Sequence, residues 1–590
     1  MTTQYPNNHD EKHEHTVDVG SDTGEKEHLP TLTVTNFETD EDDLPRGYFK
    51  SSFFIGTMVA IGLSLMAGVA GFGYAAPILV IINADIGPDP NVVWVSLSYT
   101  LVQAVTFTIV GRVSDIFGRR WVFIGGAVLG VIGSIICATA QSINTLIGGT
   151  AIIGIAAATQ LSYYYVMGEL VPMKYRLAGN GFCYIWTIPG SGIAPAVAYS
   201  LIYYSPNVGW RGCYYILIAI NSTALLCWVL FYHPPTFHMK HRNERMITYV
   251  KNFDYFGTVL YTGGLLILLM GLSWGGGVYP WNSSHVIATI VVGFVALVAF
   301  VVWESFAGLT EPLVPMHLFR NIPWDASVIV SGLGASIYYA FAIIWPSMVS
   351  IMYSDPNNRM SGPWLSSLTG LLIVIGEIAA GFCAKSIGKV KYQCIATLFV
   401  GGIFFACMAT CGPDDRGRAA AFMSIGVFLM GWTESIAITM ITICTTDQQE
   451  LGSASGVAGS IRFLISSIAA TVYTAILSNR LAVEIPSHVA PAVQSAGLPA
   501  SSVAAFITAF STGPAAFEQV PGITTDILAA GARAYQEGNA AAYSTVFLST
   551  IAFTAVGIAA SFFMPNGDDL MTGKIAATLH KRDKEDVVGS

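Results

Sequence analysis

Apolar residues in this chain come in long runs of about 20, separated mostly by short polar breaks. At 1.5 Å per residue, a helix of that length crosses the hydrocarbon core of a bilayer. The pattern predicts an all-α polytopic membrane protein with fourteen spans, at 51–83, 92–112, 121–140, 145–168, 178–204, 211–231, 256–274, 286–308, 324–353, 363–387, 393–411, 418–444, 452–479 and 541–565. Short connections make neighbouring helices antiparallel, and an even count puts both ends of the chain on one side. The stretch 480–540 is rich in Ala, Ser and Pro. Pro486, Pro491, Pro499, Pro514 and Pro521 interrupt it too often for a span. It is expected to be an outer loop with short surface helices.

Composition agrees with this pattern. Hydrophobic residues make up 53% of the 590 and charged residues 11%, against roughly 25% charged in soluble domains. The formal net charge of −9 is local. Residues 1–45 carry 12 acids and 2 lysines, so the rest of the chain is close to neutral. That segment is expected to be a disordered acidic tail. It contains no apolar run, so no cleaved signal is expected and the first span inserts itself. All nine cysteines lie in or beside apolar runs, without metal or disulfide spacing. No phosphate loop, hydrolase constellation or zinc set is present. No cofactor, no metal, no nucleic-acid partner and no enzymatic activity are therefore expected. The bilayer, a small-molecule substrate and protons are the expected partners, and the chain is expected to be a monomer.

The most informative polar break is GRVSDIFGRRWV, Gly111–Val122. Gly111 and Gly118 permit a tight turn. Placing Arg112, Arg119 and Arg120 in the cytoplasm puts 19 Lys and Arg inside and 6 outside, an asymmetry that sets orientation. Both termini, the loop 232–255 and the tail 566–590 then face the cytoplasm. The sequon at Asn282 falls outside, as a glycosylation candidate; Asn221 lies within a span and is not expected to be modified.

Gly111, Asp115, Gly118 and Arg119 recur as Gly381, Lys385, Gly388 and Lys389. A repeated charged turn suggests two related six-helix bundles, 51–231 and 324–565, joined by a linker pair at 256–308. At GRVSDIFGRR the chain resembles the major facilitator superfamily, whose signature G-x-[LV]-x-D-x-x-G-R-[RK] it fits at every position. Fourteen spans are similar to the branch holding fungal drug:proton antiporters and siderophore-iron transporters. A second family motif, associated with exporters, is kept in part at Gly181, Gly190, Ala194, Pro195, Ala198 and Tyr199, with three glycines replaced. The segments Gly168–Arg176, Gly209–His241 and Asp447–Tyr473 resemble the fungal trichothecene efflux pump family. The resemblance implies a plasma-membrane pump that exports a toxin or other secondary metabolite on the proton gradient. A siderophore-iron importer of the same fold is the alternative, and a non-transporting sensor a minor one. Two departures stand out. Thr150 occupies the position of the antiporters' span-four arginine, and span one has no acid nearer than Asp85.

An ionisable residue at membrane depth is costly and therefore a functional candidate. Glu434 and Arg462 fall at similar depth on consecutive spans. They form either a permanent lock or a pair that opens on protonation. Glu377 is either a partner for the basic turn Lys385–Lys391 or a proton carrier. By the resemblance, Glu169 joins Asp115 and Arg119 in an inner gate that includes Arg120 and Arg176. Cavity candidates are Tyr74, Gln103, Gln160, Tyr163, Tyr164, Trp186, Tyr338, Tyr339 and Trp432, each of which could equally pack between helices or sit in an interface belt.

Overall fold

The computed structural model describes residues 39–40, 44 and 47–575, apart from 235–245, 277, 356 and 569. The expected acidic tail, part of the loop 232–255 and the end of the C-terminal tail lie outside the described residues.

The chain is almost entirely helical because a span must satisfy its own backbone where no water reaches. In chain order the long helices are α1 Ser52–Gly73, α2 Trp94–Phe117, α3 Arg119–Ala138, α4 Ile143–Gln160, α5 Tyr163–Leu170, α6 Arg176–Ile185, α7 Ala194–Tyr204 and α8 Arg211–Phe231. They are followed by α9 Tyr255–Trp274, α10 Ser284–Phe306, α11 Ile322–Met348, α12 Leu368–Ile387, α13 Val390–Met408, α14 Arg416–Cys444, α15 Leu451–Ser495 and α16 Thr525–Ser561. Several starts carry a side-chain cap on an orphan N–H. Ser51 accepts from Phe54 N at 3.1 Å, Asp254 from Gly257 N at 2.8 Å and Thr524 from Ile527 N at 3.3 Å.

Thirteen helical segments are long and apolar enough to cross a membrane, among the described residues. The predicted span 178–204 is not one continuous helix. It is two short helices, α6 and α7, joined by a wide turn at Ile188–Gly192. Pro189 and Pro195 remove two backbone donors there, which breaks the regular ladder. Five of the thirteen segments lie before this pair or close the first half with α8; two are the linker helices α9 and α10, and six form the second half.

The expected outer loop 480–540 is a second correction. Helix α15 runs unbroken to Ser495, through Pro486 and Pro491, and α16 begins already at Thr525. Just past Pro486, Ser487 Oγ and His488 Nδ1 each lie 2.9 Å from the Glu484 carbonyl. These helix extensions and the helix Val503–Thr512 enclose a small separate core around Val489, Val493, Phe506 and Ile527. Here apolar residues, not helix propensity, decided the outcome: burial overrode the prolines. Likewise, Thr39–Asp40, placed in the disordered tail by sequence, pairs antiparallel with Lys574–Ile575.

The first bundle packs α1 against α8, α3 against α4 and α8, and α2 against α4. The second packs α12 and α13 against α14, and α15 against α11 and α16. The linker helices α9 and α10 pack on each other. Only 17% of the apolar window of α10 is buried, against 83% for α14, so the linker pair is peripheral and α14 is central.

Two seams join the halves, α2 with α15 and α6 with α12. Glycine makes both possible. A Cβ on Gly111 would collide with the Gly452 carbonyl. A Cβ on Gly381 would lie 2.5 Å from Gly181 Cα. The repeated glycines Gly111 and Gly381 therefore do the same work, each at one seam.

Candidate functional site

At one end of the bundles α2 stops at Phe117, and Gly118, at φ +94°, turns the chain into α3. The turn presents Asp115 to the first residues of α15. Asp115 accepts from Gly452 N at 3.2 Å, Ser453 N at 2.5 Å and Ser453 Oγ at 2.6 Å. A carboxylate is favoured there by the positive end of the helix dipole. Arg119 lies 2.6 Å from Asp115 and donates from Nε to both Glu169 oxygens, at 3.0 and 3.1 Å. Its guanidinium lies 4.5 Å from the Tyr165 ring centroid. All three charged groups are buried. Such a set is tolerated only when its charges are paired and its hydrogen bonds made.

Other ties cross between the halves at this end. Arg176 donates to Thr442 O and Gln448 Oε1, both at 2.8 Å. Lys385 Nζ donates to Lys174 O at 2.6 Å. Arg120 makes bonds within the first half. It donates to Tyr232 O at 2.7 Å and Val229 O at 3.0 Å, closing the end of α8. In the second copy of the turn, Gly388 and Lys389 both take positive φ, +73° and +50°.

Further in, the halves enclose a cavity of about 60 Å³. Its lining includes Glu377 on α12, Glu434 on α14 and Arg462 on α15, with Tyr163, Tyr164, Tyr184, Tyr338 and Tyr339. Arg462 is ion-paired to Glu434. Tyr184 and Glu377 line the same cavity. The tyrosine hydroxyls also tie the halves together. Tyr164 donates to Ser455 O at 2.6 Å, and Tyr338 lies 3.0 Å from Ser191 Oγ. Tyr163 donates to Asn180 at 2.6 Å, and Asn180 Nδ2 donates to Ser435 Oγ at 3.1 Å. With the gate ties on one side and the Ser191–Tyr338 bond on the other, the cavity is occluded.

The remaining cavity candidates lie elsewhere. Gln160 donates to Asn221 Oδ1 at 2.6 Å, a tie between α4 and α8. Trp186 packs over Gly62, Trp432 donates to Gln393 at 3.0 Å, and Tyr74 donates to Pro189 O at 3.1 Å. Gln103 is buried on α2 with neither amide atom hydrogen-bonded, yet it is not in the cavity lining. Gly190 is pressed against Ala70 and Met66 of α1, and Pro195 lies at the start of α7. Thr150 is bonded to Ser98 Oγ at 2.9 Å, a neutral pair where the antiporters' arginine was expected. Asn282 is exposed in the turn before α10. The sequence reading did not single out Tyr184, Ser191, Ser453 or Gln448. For Ser453 a signal existed: a small polar residue opening a long helix in the half opposite the acidic turn.

Two bundles meeting at glycine seams, with a charged occluded cavity between them and a buried ion cluster at one end, define a transporter of the major facilitator class. The chain belongs to the fungal trichothecene efflux pump family, whose pattern matches residues 11–589. It is 27% identical over 585 residues to the trichothecene efflux pump TRI12 of Trichoderma arundinaceum, covering 97% of this chain and 95% of that one. It is 27% identical over 549 residues to the pump of the same name from Fusarium sporotrichioides, covering 92% and 91%. Among solved structures it shares the fold of the human organic anion transporter MFSD10, with TM-score 0.52 at 12% identity, covering 85% of this chain and 99% of that one. The family match favours efflux over the siderophore-import reading.

Proposed function

We propose that this protein exports an uncharged, amphipathic secondary metabolite of the trichothecene kind across the plasma membrane, in exchange for protons. Its termini and the Asp115 gate face the cytoplasm. The observation that carries the coupling is a charge count: two carboxyls, Glu377 and Glu434, share one guanidinium, Arg462, inside an occluded cavity. An unbalanced charge at that depth is costly, and one proton balances the set. The tyrosines supply amphipathic faces and hydroxyls that suit an oxygenated, mostly apolar ligand.

The cycle follows from which contacts must break. In the gate-closed form Asp115, Arg119 and Glu169 are satisfied together, and Asp115 holds the first turn of α15. Opening towards the cytoplasm separates α2 from α15 and leaves that buried set to water. Opening outward requires loss of the Tyr338–Ser191 bond. Protonation at Glu377 or Glu434, or arrival of substrate beside Arg462, changes the charge at the junction of both movements. Other proposed assignments are Arg176 as a second gate clasp and Asn282 as a glycosylated site.

The test is expression in a toxin-sensitive yeast lacking its own pumps. The expected result is growth at raised trichothecene concentration with lower intracellular toxin. Unchanged toxin accumulation with the protein at the cell surface would overturn the export reading.

A further inference from the structure

A second and larger cavity lies on the outside of the gate end. It is a groove of about 560 Å³ between the start of α1 and the start of α6. Phe49, Ile55, Met58, Ala178 and Phe182 line it, and its sole polar side-chain atom is the Tyr175 hydroxyl. Ile55, Tyr175 and Phe182 are exposed, so the groove faces the surroundings of the bundle and not its interior. At about nine times the volume of the central cavity, it is too large to be a packing gap.

Its rim is cationic, and the geometry is specific. Lys174 Nζ and Lys385 Nζ each lie 5.2 Å from the Tyr175 ring centroid. Lys385 comes from the other half and donates to Lys174 O, so both ammonium groups lie close to the groove residue Tyr175. Lys50 follows groove residue Phe49 and is exposed. Apolar lining continuing from a membrane-facing helix into a cluster of lysines is chemically complementary to one class of molecule. An acyl chain fills the groove, and a phosphodiester meets the lysines.

We propose that this groove binds one anionic phospholipid, with an acyl chain between α1 and α6 and its headgroup at Lys174 and Lys385. An uncharged metabolite has no use for the lysine pair. The site is distinct from the central cavity and does not depend on which compound is exported. Because Lys174 and Lys385 belong to different halves, the bound headgroup bridges them on the gate-closed side.

The test uses the full chain purified in detergent, with native mass spectrometry in palmitoyl-oleoyl phosphatidylserine or the matching phosphatidylcholine. Two lysines at about fivefold each give an expected preference of about twenty-five-fold for one retained phosphatidylserine per chain. In the Lys174→Gln, Lys385→Gln double variant the two lipids are expected to be retained equally. Ala178→Trp, which fills the groove, is expected to retain neither. A headgroup preference unchanged in the double variant would overturn the proposal. So would phosphatidylserine retained by Ala178→Trp as by the parent. One-for-one displacement of the lipid by a trichothecene would also overturn it, making the groove a substrate portal.

Discussion

At the residue scale, the two carboxyls of the cavity have different physical situations. Glu434 is fully buried and ion-paired to Arg462, which is half-buried. Removing one partner of a buried pair typically costs about 3–5 kcal/mol, because the other charge is left unpaired. Glu434→Gln is therefore expected to lower the unfolding temperature of the purified protein by several degrees, as well as to impair transport. Glu377 lines the cavity with Tyr184 and Arg462 and makes no ion pair of its own among the described residues. Glu377→Gln keeps shape and polarity, so its unfolding temperature is expected to match the parent while the proton dependence of transport is lost. A Glu377→Gln protein as unstable as Glu434→Gln would show that Glu377 is a structural member of the ion pair. At the gate, Asp115→Asn keeps the side-chain length but weakens the bonds to Gly452, Ser453 and Arg119. Transport slowed at least tenfold with normal surface expression is expected; normal transport would remove Asp115 from the gate.

At the scale of elements, the glycine seams bring the two halves into close contact, and in the proposed cycle they hold the gate end shut. Gly111→Val places a side chain where the Gly452 carbonyl lies, so α2 and α15 must separate. Ser455→Cys, buried beneath that seam, is then expected to react with a water-soluble maleimide far faster than in the Gly111 parent. Equal labelling would mean that the seam does not close the gate. On the opposite side, Arg533 grips Asp414 with bonds at 2.8 and 2.5 Å, and these bonds hold the Asp414 carboxyl below the usual range. A depressed carboxylate stabilises the folded form above its ordinary value and stops doing so as pH falls through the lower one. The contribution therefore begins to fall only below about pH 4 and is gone once pH has passed the lowered value. Because the pair is exposed, the expected change is small and local: faster amide exchange at the start of α16, without global unfolding. The sequence shows these elements unevenly. Apolar run length revealed nearly every helix, and the glycine repeat marked both seams. The break in α6–α7 had its local mark in Pro189 and Pro195, whereas the continuation of α15 past Pro486 depended on packing with distant segments, which no local pattern encodes. For the same reason depth along a span was readable but direction around it was not. Gln160, Trp186 and Trp432 sit at plausible depths, yet their helices turn them towards other helices.

At the scale of the whole molecule, the cavity of about 60 Å³ is far below the roughly 300 Å³ or more of a drug-sized ligand site. The structure is thus an occluded form, and the halves must part before substrate enters. What they part around is the shared arginine, since Glu377, Glu434 and Arg462 come from α12, α14 and α15, all on the second half, while Tyr163, Tyr164 and Tyr184 face them from the first. The measurement that addresses this directly is trichothecene uptake into inside-out proteoliposomes with an imposed acid interior, comparing the parent with Glu377→Gln. The parent is expected to concentrate the compound and to lose that ability when an ionophore collapses the gradient. Glu377→Gln is expected to equilibrate the compound down its own gradient without concentrating it. Concentration by Glu377→Gln equal to the parent would contradict a proton-exchange role for the carboxyl that has no cation of its own.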